Sequence, residues 1–165
     1  MVRIKIAGRR IGNTTIGVLP SFELDGCLFS ADPNFDDYDW LVVYDEIYAH
    51  KRPVSEEYID LKCPREHTIL VTVEPPTIKV YPSTYTCQFG YVLTTHTPEQ
   101  LPHVNHRYSE GSLWWCADYP LEEVFSMPEY MKTRDLGTVC SSKQQTHTLH
   151  KKRYTLTKYL SEHLP

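Results

Sequence analysis

One carboxylate in this sequence stands where an apolar run meets two consecutive prolines. In HTILVTVEPPTIKVYP, residues 67–82, the run Ile69–Val73 leads directly to Glu74, and Pro75 and Pro76 follow. Proline fixes its own φ, and Pro75 also restricts the preceding Glu74 to extended conformations. A carboxylate held in this way at the end of a strand is suited to general-base catalysis. An acid that only caps a neighbouring loop is the alternative that spacing leaves open.

A second candidate is a strand–loop–helix pattern near the end of the chain. The pattern predicts a strand over 136–141, a polar loop with Ser142 and Lys143, and a helix over 146–164. Free N–H groups at a helix N-terminus favour negative charge. Arg153 falls on the apolar stripe of this helix, where a guanidinium would bind a phosphate in bidentate fashion or extend past the core to a carboxylate. The leucines of the stripe are Leu149, Leu156, Leu160 and Leu164.

Metal-binding patterns are weaker. Residues 37–39 read Asp-Tyr-Asp, but they precede an apolar run instead of following one, so a solvated acidic loop is the better interpretation. The pairs His103 with His106 and His147 with His150 have i, i+3 spacing, yet no further ligands stand at zinc-site spacing. We therefore expect no metal and no organic cofactor. GxSxG, P-loop and GxGxxG motifs do not occur.

The elements that would position these residues indicate an α/β fold with a mainly parallel sheet. Apolar runs that end in polar residues alternate with short helical or loop segments. The run at 40–46 is continuous enough to suggest a strand buried on both faces, and it ends in Asp45 and Glu46. Ligands of open α/β sheets bind outside the carboxyl ends of the strands. Other predicted strands are 2–7, 27–31, 68–73 and 87–96, with short helices at 55–61 and 120–127.

Composition limits the class of protein. The chain has 165 residues, 41% of them hydrophobic, and a net charge of −4. These values suit one domain with a real core and argue against nucleic-acid binding through charge. Five cysteines without a CxxC pair favour a reducing compartment over a disulfide scaffold. We find no apolar run long enough for a signal peptide or a membrane span, and therefore expect a cytoplasmic protein.

Four blocks, taken in order, carry a resemblance to a known family. They read VTVEPPTIKVYP, QFGYVLTTH, NHRYSEGSLWW and GTVCSSKQQTHTLHKKRYTLTKYL. In order and spacing they resemble the α-1,3/α-1,4-fucosyltransferases, glycosyltransferase family ten, in their bacterial form. The resemblance extends from residue 38 to the end of the chain, and SSKQQTHTLHKKR is its most specific part.

The resemblance implies a GT-B fold, in which two Rossmann-like domains face each other across a cleft. Residues 1–135 would form the acceptor-side domain, a Rossmann-like three-layer unit, and 136–165 would open the donor-binding domain. Glu74 matches the catalytic base of the family, in a Glu-x-Pro corner that reads Glu-Ser-Pro in many animal members. Arg153, with Ser142 and Lys143, would bind the diphosphate of the donor.

The implied reaction transfers fucose from the co-substrate GDP-fucose to a sugar hydroxyl, with inversion. The acceptor would be an oligosaccharide or a lipopolysaccharide, contacted by Asp45, Glu46 and Tyr108. The enzyme would be cytoplasmic, with peripheral attachment to the inner membrane as a variant of that location. The sequence leaves open which acceptor is used and whether the donor is another GDP-sugar.

One departure from the family is large. The chain ends at Pro165, before the later motif of the donor domain that contacts nucleotide and fucose. We therefore expect the N-terminal portion of an enzyme, inactive alone, whose last helix could associate with a missing domain or a second chain. Two alternatives remain open. One is a non-catalytic carbohydrate- or partner-binding α/β module that uses the aromatic segment 107–119, and the other is a single-domain phosphate binder.

Overall fold

The structure, a computed structural model, describes residues 1–8, 21–47, 60–109, 140–143, 145 and 149–163. Contacts divide the chain into two units, Met1–Ser126 and Met127–Pro165. The predicted helix at 120–127 and most of the predicted helix at 55–61 and of the predicted strand at 136–141 lie outside the described residues. The described parts of the last two, 60–61 and 140–141, have no regular secondary structure.

The first unit contains a seven-stranded sheet in its described part, with the order β2-β3-β1-β4-β5-β6-β7. All neighbouring strands are parallel except β2 and β3, which form an antiparallel hairpin. The prediction of an α/β fold with a mainly parallel sheet is confirmed. The strands are β1 (Val2–Ala7), β2 (Ser21–Leu24), β3 (Cys27–Ser30), β4 (Trp40–Tyr44), β5 (Thr68–Val71), β6 (Tyr91–Thr94) and β7 (His106–Tyr108).

The strand order creates a switch point beside β1. β3 lies on one side of β1 and β4 on the other, so successive strands are added to opposite sides of β1. In open α/β sheets the crevice at such a point, outside the carboxyl ends, is the usual ligand site. Gly8, directly after β1, lies so close to β4 that an added Cβ would overlap the carbonyl oxygen of Tyr44. Close packing of the backbones at the end of β1 and β4 therefore requires glycine there.

The core lies on one face of β4, β5 and β6. Burial alternates along all three strands, as expected when one face is covered more completely than the other. The prediction that β4 is buried on both faces is therefore wrong for the described residues, because its second face is only partly buried. Tyr85 and Phe89 follow β5, and their rings meet edge to face at 5.3 Å. Among the residues that the structure describes, the buried hydrophobic ones are Tyr38, Leu41, Val43, Cys63, Leu70, Tyr81, Tyr85, Phe89, Val92 and Leu101.

Two strands, β2 and β7, were not predicted from the sequence. The hairpin of β2 and β3 turns at Asp25 and Gly26, whose φ angles of 50° and 76° are both positive. Asp-Gly is the preferred pair for such a turn, so this hairpin had a readable signal. β7 has three residues inside a segment rich in proline and histidine, and it follows β6 in parallel register. An element so short carries no usable periodicity.

Two α-helices lie within the described residues. Helix α1 (Ser83–Thr86) is one turn that follows Pro82, whose carbonyl accepts the N–H groups of Tyr85 and Thr86, both at 3.0 Å. Helix α2 (His150–His163) belongs to the second unit and lies within the predicted range 146–164.

Candidate functional site

Asp45 begins the site at the carboxyl end of β4. Its N–H still continues the sheet ladder by donating to the carbonyl of Val71 at 2.9 Å. Its φ of 69° then turns the chain out of the strand, a conformation that Asp tolerates better than most residues. The turn lies at the switch-point edge, next to the end of β1. The predicted position of Asp45 at this edge is confirmed.

Lys79 neutralises the two acids that follow β4. Its Nζ lies 2.7 Å from Asp45 Oδ1 and also contacts Glu46 Oε1. The exposed fractions of the three side chains are 14% for Lys79, 9% for Asp45 and 12% for Glu46. Charges this deeply buried require partners, because an unpaired buried charge is strongly unfavourable. The lysine therefore makes the burial of two adjacent acids possible.

The two prolines explain how Lys79 reaches these acids. Glu74 follows β5, and Pro75 then starts a turn in which its carbonyl accepts the N–H of Ile78 at 2.8 Å and of Lys79 at 3.1 Å. The turn sends the chain back across the carboxyl ends of the strands. The Glu-Pro-Pro corner thus positions both the carboxylate of residue 74 and the ammonium group that pairs with Asp45.

The hydroxyl of Tyr81 connects Asp45 to the backbone of the Glu74 corner. It donates to Asp45 Oδ1, and it accepts the N–H of Val73 at 3.3 Å and the N–H of Glu74 at 3.5 Å. One donor and two acceptor positions are the full capacity of a phenolic hydroxyl. Burial, followed by the hydrogen bond and the charge of Asp45, raises the pKa of Tyr81 far above its usual range. The hydroxyl therefore stays protonated.

His96 holds the opposite side of the same corner. Its Nε2–H donates to the carbonyl of Glu74 at 2.9 Å, and its buried ring meets Tyr81 edge to face at 5.6 Å. His106 in turn donates from Nε2 to the carbonyl of His96 at 3.0 Å. These bonds tie together the segments that follow β5 and β6 and the start of β7. The N–H and the carbonyl of Glu74 are thus both bound by buried aromatic side chains.

Two threonines close the space beneath the corner. Thr72 Oγ1 donates to Thr94 Oγ1 at 2.6 Å, and Thr94 Oγ1 accepts the N–H of His96 at 3.1 Å. Both threonines are buried. Buried hydroxyls that find partners stabilise a single arrangement, whereas unpaired ones would destabilise it. The ends of β5 and β6 are therefore held together by side chains as well as by the ladder.

The structure brings together three of the predicted site residues. Glu74, Asp45 and Glu46 all lie at the carboxyl edge, and the side chain of Glu74 is partly buried. Asp45 and Glu46 both pair with Lys79. Acceptor binding by these two acids stays a prediction. Tyr108, at the end of β7, is 71% exposed. Its acceptor contact also stays a prediction.

The predicted donor residues lie in the second unit. Ser142 and Lys143 are exposed and have no regular secondary structure. Arg153 is also exposed, and its Nη2 lies 3.0 Å from His150 Nδ1. Leu149 and Leu156 are 64% and 57% exposed. The expectation that Arg153 lies on an inward face is therefore wrong for the described residues, because leucine spacing identifies a stripe but not a surface that covers it.

Sequence reasoning missed Lys79, Tyr81 and His96. The alternation in Ile78–Tyr81 places Lys79 and Tyr81 on the same side of an extended segment, and this is a usable signal. Which side faces the sheet depends on the turn at Pro75, which the residue pattern alone does not determine. Burial of His96 depends on strand order, so no local signal exists for it.

Within the described residues, no group of three or more His, Cys, Asp or Glu side chains is arranged to hold a metal ion. None of the helices in the described ranges has the length and apolar character needed to cross a membrane. Comparison of the chain with protein-family models, with curated proteins and with solved structures found no match.

Proposed function

We propose that this chain is the acceptor-side part of an inverting glycosyltransferase that uses GDP-fucose, with Glu74 as the catalytic base. The observation that carries the proposal is the position of Glu74. Its carboxylate follows a central parallel strand at the ligand edge, and its backbone is bound on both sides by Tyr81 and His96. The resemblance in the Glu-Pro-Pro corner assigns the same residue to this role. A GT-B arrangement of two Rossmann-like domains is part of the proposal.

The proposed chemistry is a single displacement at the anomeric carbon of fucose. The acceptor hydroxyl gives its proton to the Glu74 carboxylate while its oxygen forms the new bond to the anomeric carbon. The bond from that carbon to the diphosphate breaks, GDP leaves with the electron pair, and the configuration inverts. A fixed carboxylate lowers the barrier because the base does not have to be ordered at the moment of reaction.

Donor binding by Arg153, Ser142 and Lys143 rests on the resemblance. Their exposure leaves them accessible to a phosphate, and a guanidinium is suited to a diphosphate. We propose that Arg153 neutralises the departing diphosphate, as charge stabilisation of a leaving group requires. The acceptor would be an oligosaccharide or lipopolysaccharide.

We also propose a reducing, cytoplasmic location. The support is chemical: Cys27, Cys63, Cys87 and Cys140 are free thiols in the described part of the chain. Free thiols are typical of compartments in which glutathione and thioredoxin keep cysteine reduced.

A second candidate function is sugar binding without catalysis. The exposed ring of Tyr108 at the end of β7 favours it, because aromatic faces stack on the apolar faces of sugar rings. Under this candidate Glu74 would be a structural acid. Removal of its charge would then leave sugar affinity unchanged, whereas Tyr108→Ala would weaken it.

Saturation-transfer NMR on the purified chain tests the proposal, with N-acetyllactosamine and GDP-fucose offered separately. We expect N-acetyllactosamine to bind and Glu74→Gln to weaken its affinity by about tenfold, since the acceptor hydroxyl then bonds to a neutral amide oxygen instead of a carboxylate. Glu66→Gln is the matched control, because Glu66 is exposed and precedes β5 at its other end. Equal binding by wild type and Glu74→Gln would contradict a role for Glu74 in contacting the acceptor.

A further inference from the structure

Two tyrosines near the edge donate hydrogen bonds to Asp45, but only one of them reaches the base. Tyr81 donates to the carboxylate of Asp45 and accepts the N–H groups of Val73 and Glu74. Tyr85 donates to the backbone carbonyl of Asp45 at 3.2 Å. Both rings are buried. The same residue type, four positions apart, therefore makes different contacts with the same acid.

We propose that Tyr81 is a positioning residue for Glu74, and that Asp45 orients the Tyr81 hydroxyl for this purpose. The proposal rests on the function proposed above, in which Glu74 is the base. A hydroxyl accepts the N–H of Glu74 in a defined direction only if its own hydrogen points elsewhere. Asp45 supplies that acceptor, so both lone pairs of Tyr81 face the backbone of the Glu74 corner.

Asp45 is itself fixed on several sides. Lys79 pairs with its carboxylate, the ladder bond to Val71 holds its N–H, and Tyr85 holds its carbonyl. Lys79 also lies over the ring of Tyr81, with its Nζ 4.6 Å from the ring centroid. Because Asp45 is fixed, it sets the direction of the Tyr81 O–H bond. The Tyr81 oxygen in turn sets the orientation of the Glu74 N–H.

Different side chains hold the two sides of the Glu74 corner. His96 binds the carbonyl of Glu74 from the β6 side, and Tyr81 binds its N–H from the returning segment after Pro75. Loss of the hydroxyl leaves the carbonyl held and frees the N–H. The peptide before Glu74 could then rotate, and a small rotation there displaces the carboxylate. Positioning of this kind determines the distance from base to acceptor hydroxyl, to which catalysis is sensitive.

The test compares Tyr81→Phe with Tyr85→Phe in the full chain by NMR. Both variants remove one buried hydroxyl and keep the ring, so both are expected to fold. In Tyr81→Phe we expect hydrogen exchange at the amides of Val73 and Glu74 to accelerate about tenfold, because each amide loses its acceptor. We also expect the carboxyl carbon resonance of Glu74 to move. In Tyr85→Phe both readouts should change far less, because the carboxylate of Asp45 keeps Lys79 and Tyr81 as partners and its N–H keeps the ladder bond to Val71.

Two results would overturn the positioning role. One is unchanged exchange and an unchanged carboxyl resonance in Tyr81→Phe. The other is an equal change in Tyr85→Phe, which would indicate general loosening of the core. Binding of N-acetyllactosamine separates this proposal from the proposed function. If the Glu74 signals move in Tyr81→Phe but Glu74→Gln binds the sugar normally, the positioning contact stands and the proposed contact of Glu74 with the acceptor fails.

Discussion

The carboxyl edge of the sheet and helix α2 both carry residues that the resemblance assigns to one reaction, but their surroundings differ. At the edge, Asp45, Tyr81 and His96 are buried and hydrogen-bonded around Glu74. In α2 no described side chain is buried, and Arg153 contacts His150 of its own helix. Side chains of the first unit hold the edge in place, so substitutions that remove its packing or its hydrogen bonds can test its chemistry. Around Arg153 the described residues of α2 form no comparable buried network.

The largest expected effect in this comparison is in the core beneath the edge. Leu70 on β5 is fully buried. Leu70→Ala removes apolar contacts and leaves a cavity, so we expect a loss of about 3 kcal/mol in the free energy of unfolding. Urea denaturation followed by near-UV circular dichroism measures this loss. A cost below about 1 kcal/mol would mean that the face carrying Leu70 is not a packed core.

The buried ion pairs of Lys79 should give an effect of similar size. Lys79→Met leaves Asp45 and Glu46 without their shared cation, and we expect a loss of about 3 kcal/mol in unfolding free energy. The matched control is Lys62→Met. Lys62 pairs with Asp60 at 2.7 Å, but the two side chains are 48% and 84% exposed, so this change should barely alter stability. Equal effects of the two changes would contradict a buried ion pair at the edge.

The raised pKa of Tyr81 predicts how stability responds to alkaline pH. Burial and Asp45 favour the protonated hydroxyl, so the pKa of Tyr81 is higher in the folded protein than in the unfolded chain. The stabilisation is complete below about pH 10, the unfolded value, and is lost as pH rises above it. In that range Tyr81 should contribute a loss of about 1.4 kcal/mol per pH unit.

Denaturation at several pH values above 10 measures this contribution in wild type and in Tyr81→Phe. The variant should lose stability less steeply with pH, by about one proton. Some slope should persist in the variant, because burial also raises the pKa of Tyr38. Identical slopes in the two proteins would show that Tyr81 ionises in the folded state as it does in the unfolded chain.

Much of the fold could be predicted because it depends on local patterns. β1 was predicted with the bounds that the structure has, and β3, β4, β5 and α2 overlap their predicted ranges. Apolar runs and helical spacing are properties of the chain itself, so they survive any tertiary arrangement. The hairpin at Asp25 and Gly26 was missed although its turn residues carried the signal.

The candidate site could be predicted only in part. The ends of β4 and β5 place Asp45, Glu46 and Glu74 at one edge once a parallel sheet is assumed. The contacts of Lys79, Tyr81 and His96 depend on the turn after Pro75 and on the neighbours of β5, which are non-local. The inward position predicted for Arg153 failed for a related reason, since a stripe of leucines does not specify what covers it.

The smallest expected effect is in α2. Leu156 is mostly exposed, so Leu156→Ala should change the free energy of unfolding by less than about 0.5 kcal/mol. The measurement is urea denaturation followed by far-UV circular dichroism, which reports helical structure. A cost above about 2 kcal/mol, the range for buried leucine, would mean that the stripe of α2 is covered in solution. That result would remove the contrast between the two regions.

The most direct test of the central claim is a titration of the ¹⁵N-labelled chain with N-acetyllactosamine, followed by amide resonances. The claim is that the carboxyl edge around Glu74 binds the acceptor sugar. It predicts saturable shifts at the amides of Asp45, Glu74 and His96 and at that of Ser109, which follows β7 and donates to the carbonyl of Thr94 at 2.9 Å. It predicts none in α2. Shifts that are confined to other parts of the chain, or no shifts at all at sugar concentrations in the millimolar range, would contradict it.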